Sequence, residues 1–251
     1  MSEVIRKSIT LLTTIMPNED KEEWSATEVS RELDIPIQTV HRLLSSLSEY
    51  GFVFKNKETK KFRLGLTLMQ LGLSIRDNSL VRNSALPIME KLRKRTNESV
   101  YLTVPEGYEG VIIDGVEMDL LLKVAEPIGM RTPLCVGASK KAILAHLKRK
   151  TRQRIIHELI GLGKIKDVKR LESELKEIKE SKIAISFGES TEGTVSIASP
   201  IFSWEDKVVA SISVGGPKAR FNQQQIKFFM CETKKAAIEI SEELGWINLD
   251  R

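Results

Sequence analysis

Apolar side chains recur every three or four positions through the first fifty residues, a period that belongs to helices. Ile5, Ile9, Leu12 and Met16 mark one face of a helix over 4–15, which the run Pro17-Asn18-Glu19-Asp20 ends. Ser25-Ala26-Thr27-Glu28 has the form of a capping box. The Ser25 hydroxyl can accept from an early helical N–H while Glu28 reaches back to the N–H of Ser25. The short helix it opens carries Val29 and Leu33 four apart. Asp34-Ile35-Pro36 turns the chain, and Pro36 fits the first turn of a further helix. That helix directs Ile37, Val40, Leu43, Leu44 and Leu47 inward and ends at Gly51, which supplies its C-terminal cap. Two short strands, 52–54 and 62–64, follow around a polar hairpin over 55–61.

Residues 66–75 are apolar and helix-compatible, and a longer helix over 79–95 comes next. From Val100 the period changes to that of strands. The runs 100–104, 111–116 and 120–124 alternate with glycine-containing turns. A helix over 139–148 and two charged helical stretches up to residue 182 lead to strands at 195–202 and 208–214. A helix over 222–244 closes the chain. Helices flanking a strand-rich centre make a sensor-like α/β domain of ordinary size. The class is therefore α+β, with a helix-turn-helix domain over 1–65, a linker helix over 66–78 and the α/β domain over 79–251. Leu66, Met69 and Leu73 lie on one side of the linker helix, and Leu68, Leu71 and Ile75 on another. A helix so widely apolar has to be covered. The expected cover is a dimer contact, with burial against its own chain as the alternative.

Composition narrows the class without naming a partner. At 41% hydrophobic and 29% charged residues, the 251-residue chain is too apolar for a disordered one. No apolar run approaches the roughly 18 residues of a membrane span, and the N-terminus lacks the apolar core of a signal peptide. Cys135 and Cys231 form neither a disulfide framework nor a Cys-x-x-Cys metal pair, so a cytoplasmic protein without metal or cofactor is expected. The net charge of +5 misleads if taken whole. Residues 1–34 hold 4 basic and 8 acidic side chains, whereas 35–66 hold 6 basic and 2 acidic. The reversal falls where the second short helix and the hairpin lie.

Two helices joined by a tight turn, with a basic hairpin behind, outline a winged helix-turn-helix. With one face of the second helix seated on the core, Gln38, Thr39, His41, Arg42, Ser45 and Ser46 remain on the other. Gln suits adenine and Arg suits guanine, each through two hydrogen bonds, while Ser and Thr suit phosphate oxygens. Ser25 and Thr27, at the start of the first helix of the pair, join the expected contacts to double-stranded operator DNA. Lys55, Lys57, Lys60, Lys61 and Arg63 can neutralise flanking phosphates. A merely solvated polar face is the competing reading, and the coincidence of capping box, proline turn, apolar seat and basic hairpin weighs against it. A winged-helix module that binds protein or RNA stays open as an alternative function.

The stretch from Ser25 to Leu44, above all Thr39-Val40-His41-Arg42-Leu43-Leu44, resembles the helix-turn-helix of the IclR family of bacterial transcription regulators. The likeness extends through Tyr50-Gly51-Phe52-Val53, Phe62-Arg63-Leu64-Gly65 and Leu71-Gly72. It continues through Pro133-Leu134, residues 138–142, 186–189 and 197–202, and 213–217. The resemblance implies a winged-helix domain, a linker helix and a GAF-like effector-binding domain. It also implies assembly as a homodimer or homotetramer and an effector that modulates operator affinity. It leaves both repression and activation open, with repression expected, and the unpaired N–H groups at the helix start after 133–137 suit a small organic anion. By the same resemblance, Ala138 and Ser139 offer backbone N–H groups to that ligand, and Ser186, Ser196 and Ser213 offer hydroxyls. Val124 and Thr132 match the pocket wall. On pattern alone those serines read rather as solvated strand faces, and their match to pocket positions brings the two readings level.

The chain departs from the family at Lys140, where glycine is common, at Cys135, where histidine is frequent, and at Gly215, where serine is frequent. An enzyme is the rival class and lacks its parts. Gly161-Leu162-Gly163 misses the third glycine of a dinucleotide fingerprint, and no P-loop or nucleophile elbow is present. The three histidines, His41, His146 and His157, are too scattered for zinc. Cys135 has no neighbouring base in the sequence and is expected to be a buried, inert thiol.

Overall fold

The computed structural model describes residues 2–18, 21–118 and 124–247. The chain divides into two compact units, Met1–Asp77 and Asn78–Arg251, each described by itself.

The first unit holds α1 (Glu3–Thr14), α2 (Ala26–Leu33), α3 (Ile37–Glu49), the hairpin β1 (Val53–Lys55) and β2 (Phe62–Leu64), and α4 (Leu66–Asp77). Leu11, Ile15, Val29, Val40, Leu44, Val53 and Phe62 are the heart of its core. The capping box forms as the sequence indicates. Ser25 Oγ accepts from the Glu28 N–H at 3.2 Å, and Glu28 Oε2 accepts from the Ser25 N–H at 2.7 Å. Lys21 Nζ donates to the other Glu28 oxygen at 2.8 Å. Lys21, with Ser25, holds the Glu28 carboxyl down to about 2. At the other end of the motif, Gly51 at φ 73 closes α3: its N–H donates to Ser48 O and that of Phe52 to Leu47 O.

Two expectations about this unit are corrected. The inward face of α1 is Leu11 and Ile15, both fully buried, whereas Ile5, Ile9 and Met16 are exposed. The helix carries two apolar stripes of the same period, and packing against α2 selects the shorter one. Ile37 is exposed rather than buried, because it lies in the first turn of α3, ahead of the residues that reach the core. No residue of α4 is buried.

The second unit is built on a six-stranded antiparallel sheet of order β5-β4-β3-β8-β7-β6. Its strands are β3 (Ser99–Glu106), β4 (Glu109–Val116), β5 (Arg131–Pro133), β6 (Ala184–Phe187), β7 (Thr194–Phe202) and β8 (Val208–Pro217). Helices α5 (Leu80–Thr96) and α9 (Gln223–Glu243) cover one face, packing Ile88, Met89, Leu92 and Ile240 on Val100, Leu102, Ile212 and Val214. On the other face lie α6 (Ala138–His146), α7 (Arg149–Gly161) and α8 (Val168–Ser181), around Ile143, Leu144, Leu159 and Leu175. Strands β5 and β6 were not anticipated, being too short or too polar to alternate visibly. The strand expected over 120–124 falls almost wholly on 119–123, outside the described residues; Val124 itself is in no strand.

The cap is testable. Ser25→Ala should destabilise the first unit by about 1 kcal/mol, read by denaturant unfolding. The folded value of Glu28, about 2, lies below its ordinary 4.5. The stabilisation is therefore present at neutral pH and lost as pH falls from about 4.5 through 2. Glu28→Gln should be less stable at pH 7 and show a shallower loss of stability across that interval.

Candidate functional site

Two surfaces concentrate the chemistry, one in each unit. In the first, Gln38, His41, Arg42 and Ser45 are exposed along α3, and Thr39 is half-buried. The spacing of Gln38, Arg42 and Ser45, four and three residues apart, sets them in one stripe opposite Val40 and Leu43. Thr27 is exposed at the start of α2. Ser25 is placed differently from expectation: its hydroxyl donates to Glu28 at 2.8 Å and accepts from the Glu28 N–H, so the cap consumes it.

Lys55, Lys57, Lys60 and Lys61 are all exposed on the hairpin. An acidic residue upstream, Glu23, holds this hairpin in place. Glu23 accepts from Asn56 Nδ2 at 3.0 Å and from Thr59 Oγ1 at 2.9 Å, which lowers its carboxyl below the usual range. Asn56 Oδ1 in turn accepts from the Glu58 and Thr59 N–H groups across the tip. Trp24 adds a strand-like bridge, exchanging backbone bonds with Phe62 at 2.8 and 2.7 Å. The lysines thus project from a braced ribbon.

In the second unit the pattern of the sheet builds a pocket. Ser186 pairs with Ser196, Ser196 with Gly215, Ala198 with Ser213 and Ser213 with Tyr101. Alternation then puts Ser186, Ser196, Ser213 and Tyr101 on the face toward α6. These residues, with Val124, Glu126, Ala138, Ser139, Lys140 and Thr191, line a narrow pocket that is partly open to solvent. The hydroxyls of Ser186, Ser196 and Ser213 have no hydrogen-bond partner among the described residues. Six of the seven expected ligand positions meet here. Thr132 does not: it lies on β5, at the edge of the sheet, and pairs with Gly110 of β4.

Helix α6 reaches the pocket with its first turn. Gly137 precedes it at φ 80, and no side chain caps it. The N–H of Gly137 itself donates to Glu189 Oε2 at 3.1 Å. Ala138, Ser139 and Lys140 follow, all buried, and Ser211 Oγ fastens the turn by donating to Ser139 O at 2.8 Å. Buried N–H groups at an uncapped helix end favour an anion.

Sequence reasoning missed Tyr101, Glu126 and Lys140. Tyr101 Oη donates to Val124 O at 2.7 Å and accepts from the Glu126 N–H at 3.1 Å, clamping that segment beside the pocket. Lys140 is 1% exposed and passes beneath Gly110, where a Cβ would lie 2.8 Å from its Cγ. The two adjacent lysines in a helix of small apolar residues were the available signal. The Cys135 thiol is buried, which pushes its pKa up, as suits an inert group rather than a nucleophile. Among the described residues, no group of His, Cys, Asp and Glu gathers that could hold a metal.

The comparisons with known proteins address both units. Residues 5–56 match the IclR helix-turn-helix domain, and residues 74–242 match the C-terminal domain of bacterial IclR transcriptional regulators. The chain belongs to the IclR family. It is 30% identical to the transcriptional regulator KipR of Bacillus subtilis over 98% of both chains. It is also similar to the crystal structure of Thermotoga maritima IclR, at 27% identity and a TM-score of 0.79 over 96% of this chain and 98% of that one. An IclR homologue from Microbacterium hydrocarbonoxydans, solved with 4-hydroxybenzoate, shares the fold at 24% identity and a TM-score of 0.79, covering 97% and 99% of the two chains.

This IclR-family chain is thus a DNA-binding transcription regulator with an effector-binding domain, and its relatives are regulators of transcription. Among its described residues no helix is long and apolar enough to cross a membrane. Its pocket loop is anchored by charge. Glu189 and Glu174 both accept from Lys141 Nζ, at 2.9 and 2.7 Å, and the two carboxylates hold this buried ammonium's pKa up against desolvation.

Glu189→Gln should lower the stability of the second unit by about 1 kcal/mol, because Lys141 keeps Glu174. That corresponds to roughly 2–4 °C in its melting transition. The double substitution Glu174→Gln/Glu189→Gln should cost more than the sum of the single ones, since it leaves a buried ammonium alone. Calorimetric melting of the three variants checks both.

Proposed function

We propose that α3 and the hairpin form the operator-reading surface and that the pocket behind α6 is the effector site. The observation that carries the first part is the exposed Gln38–Arg42–Ser45 stripe beside a braced ribbon of four lysines. Gln38 and Arg42 read base edges, Thr27, Thr39, His41 and Ser45 reach phosphates or bases, and Lys55, Lys57, Lys60 and Lys61 hold the flanking backbone. Residues 1–65 act as the reading head, 66–78 as the connection and 79–251 as the sensor. The effector is a small organic anion, supported by the uncapped buried start of α6 and the unpaired hydroxyls of Ser186, Ser196 and Ser213. Ligand binding modulates operator affinity. We infer repression as the sense of control, since a protein spread over an operator blocks polymerase wherever operator and promoter overlap. A regulator that meets chromosomal DNA works in the cytoplasm.

Assembly as a homodimer or homotetramer belongs to the same reading. Leu66, Met69, Leu71 and Ile75 on α4 are at least half exposed. Two reading heads also supply the affinity and specificity that one half-site lacks.

Operator titrations should separate the two kinds of contact. Arg42→Ala should cost about 1–3 kcal/mol on operator DNA and relax selectivity at one position per half-site. Replacing the hairpin lysines should instead leave selectivity nearly intact and reduce the salt slope of log K by about 0.9 per lost contact. Equal binding of operator and random DNA by Arg42→Ala and the parent would remove the readout assignment. Assembly is read separately by sedimentation. A dimer or larger at micromolar concentration is expected, shifting toward monomer in Leu71→Lys/Ile75→Lys; a monomeric parent would refute it.

A further inference from the structure

Two opposite charges share the pocket. Lys140 is 1% exposed, and among the described residues its ammonium meets only Glu126, at 3.8 Å, too far for a hydrogen bond. The side chain of Glu126 is 15% exposed, and its backbone is pinned by Tyr101. Burial pulls the lysine's pKa down and Glu126 draws it back only in part. The contrast with the next residue is direct: Lys141, also buried, hydrogen-bonds two carboxylates.

A buried ammonium without a hydrogen bond is costly to the protein alone and is answered by an acceptor from outside. Ala138 and Ser139, in the uncapped first turn of α6, line the same pocket, and the N–H groups of such a turn also call for an acceptor. A carboxylate meets both needs. A bare carboxylate there would sit close to Glu126, however, and like charges in a partly buried site repel. A hydrogen-bond donor carried next to the ligand's carboxylate turns that neighbour into a partner.

We propose that the effector is a small carboxylic acid with an O–H or N–H donor on the adjacent carbon, its carboxylate on Lys140 and the α6 N–H groups and its donor on Glu126. The class is that of 2-hydroxy and 2-amino acids. This rests on the pocket being the effector site and adds to it the charge pair that selects the ligand. The hydroxyls of Ser186, Ser196 and Ser213 then serve the remainder of the molecule.

The test is calorimetric titration of the full-length protein with matched probes: glycolate, lactate, glycerate, glycine, alanine and serine against acetate and propionate. Parent, Lys140→Met, Glu126→Gln and Ala138→Trp are compared, with melting temperature and ligand-free operator binding confirming that each is folded. At least one hydroxy or amino acid should bind about tenfold or more tighter than its unsubstituted counterpart. Lys140→Met should weaken that probe roughly 10- to 100-fold, the loss of a charged hydrogen bond. Glu126→Gln should keep binding but erase most of the preference over acetate or propionate. The hydroxy and amino acids in the panel show which donor Glu126 prefers. Unchanged affinity in Lys140→Met, an undiminished preference in Glu126→Gln, or no preference in the parent overturns the proposal. A probe that binds Ala138→Trp as it binds the parent overturns the pocket reading as well. If only carboxylates outside the panel bind and Ala138→Trp abolishes them, the pocket stands and the charge-pair proposal falls.

Discussion

The first turn of α6 lies inside the second unit with no side chain to cap it, and much of that unit is arranged around this fact. Every residue from Ala138 to Ala145 is buried, so the helix cannot turn its end toward bulk water. A buried helix end needs partners for its N–H groups. Glu189 meets the N–H of Gly137, and Ser211 fixes the carbonyl of Ser139. Ala138 and Ser139, which follow, line one pocket with the serines of β6, β7 and β8. The sheet register makes this possible. It puts Ile212 and Val214 against α5 and α9 while Ser211 and Ser213 point the other way, so one strand carries core on one face and chemistry on the other.

The same economy governs the first unit. Its sequence places acidic residues ahead of basic ones, which reads as a charge boundary. The structure shows two of those acids engaged within the fold. Glu28 closes the cap of α2 and takes Lys21, and Glu23 holds the hairpin tip through Asn56 and Thr59. The hairpin lysines are thereby held on a fixed ribbon rather than on a floppy loop, which suits the proposed phosphate contacts because less conformational entropy is then lost on binding.

What was legible in the sequence was what local physics decides. The cap at Ser25, the turn at Pro36, the stop at Gly51 and the buried row Val40, Leu43 and Leu44 each follow from neighbours a few residues away. The serines of the pocket needed the family resemblance, because a serine in a strand does not declare which face it takes. Where two local answers were equivalent, the sequence could not choose between them. Helix α1 offers Ile5 and Ile9 or Leu11 and Ile15 at the same spacing, and only the contact with the rest of the unit picks the latter. Strand β6 reads as Ala-Ile-Ser-Phe, without an alternation strong enough to announce it.

Lys140 shows the limit most clearly. Lysine in a helix is read as solvated, and its neighbour Lys141 invites the same reading, yet both are buried. Their fates differ because of residues far away in sequence. Lys141 faces α8 and the loop after β6, where Glu174 and Glu189 satisfy it, so its charge contributes to holding that loop. Lys140 passes under Gly110 and lines a pocket where, among the described residues, Glu126 is the one acid and stops short of a hydrogen bond. A buried charge that the fold satisfies is a structural element; one left partly unsatisfied is a cost that binding can remove. By linkage, whatever a ligand gains from completing Lys140 differently in two conformations shifts the balance between them, and operator DNA must alter ligand affinity by the same factor. In the proposed reading, the charge of Lys140 that Glu126 leaves without a hydrogen bond is what makes a ligand's carboxylate count in that balance.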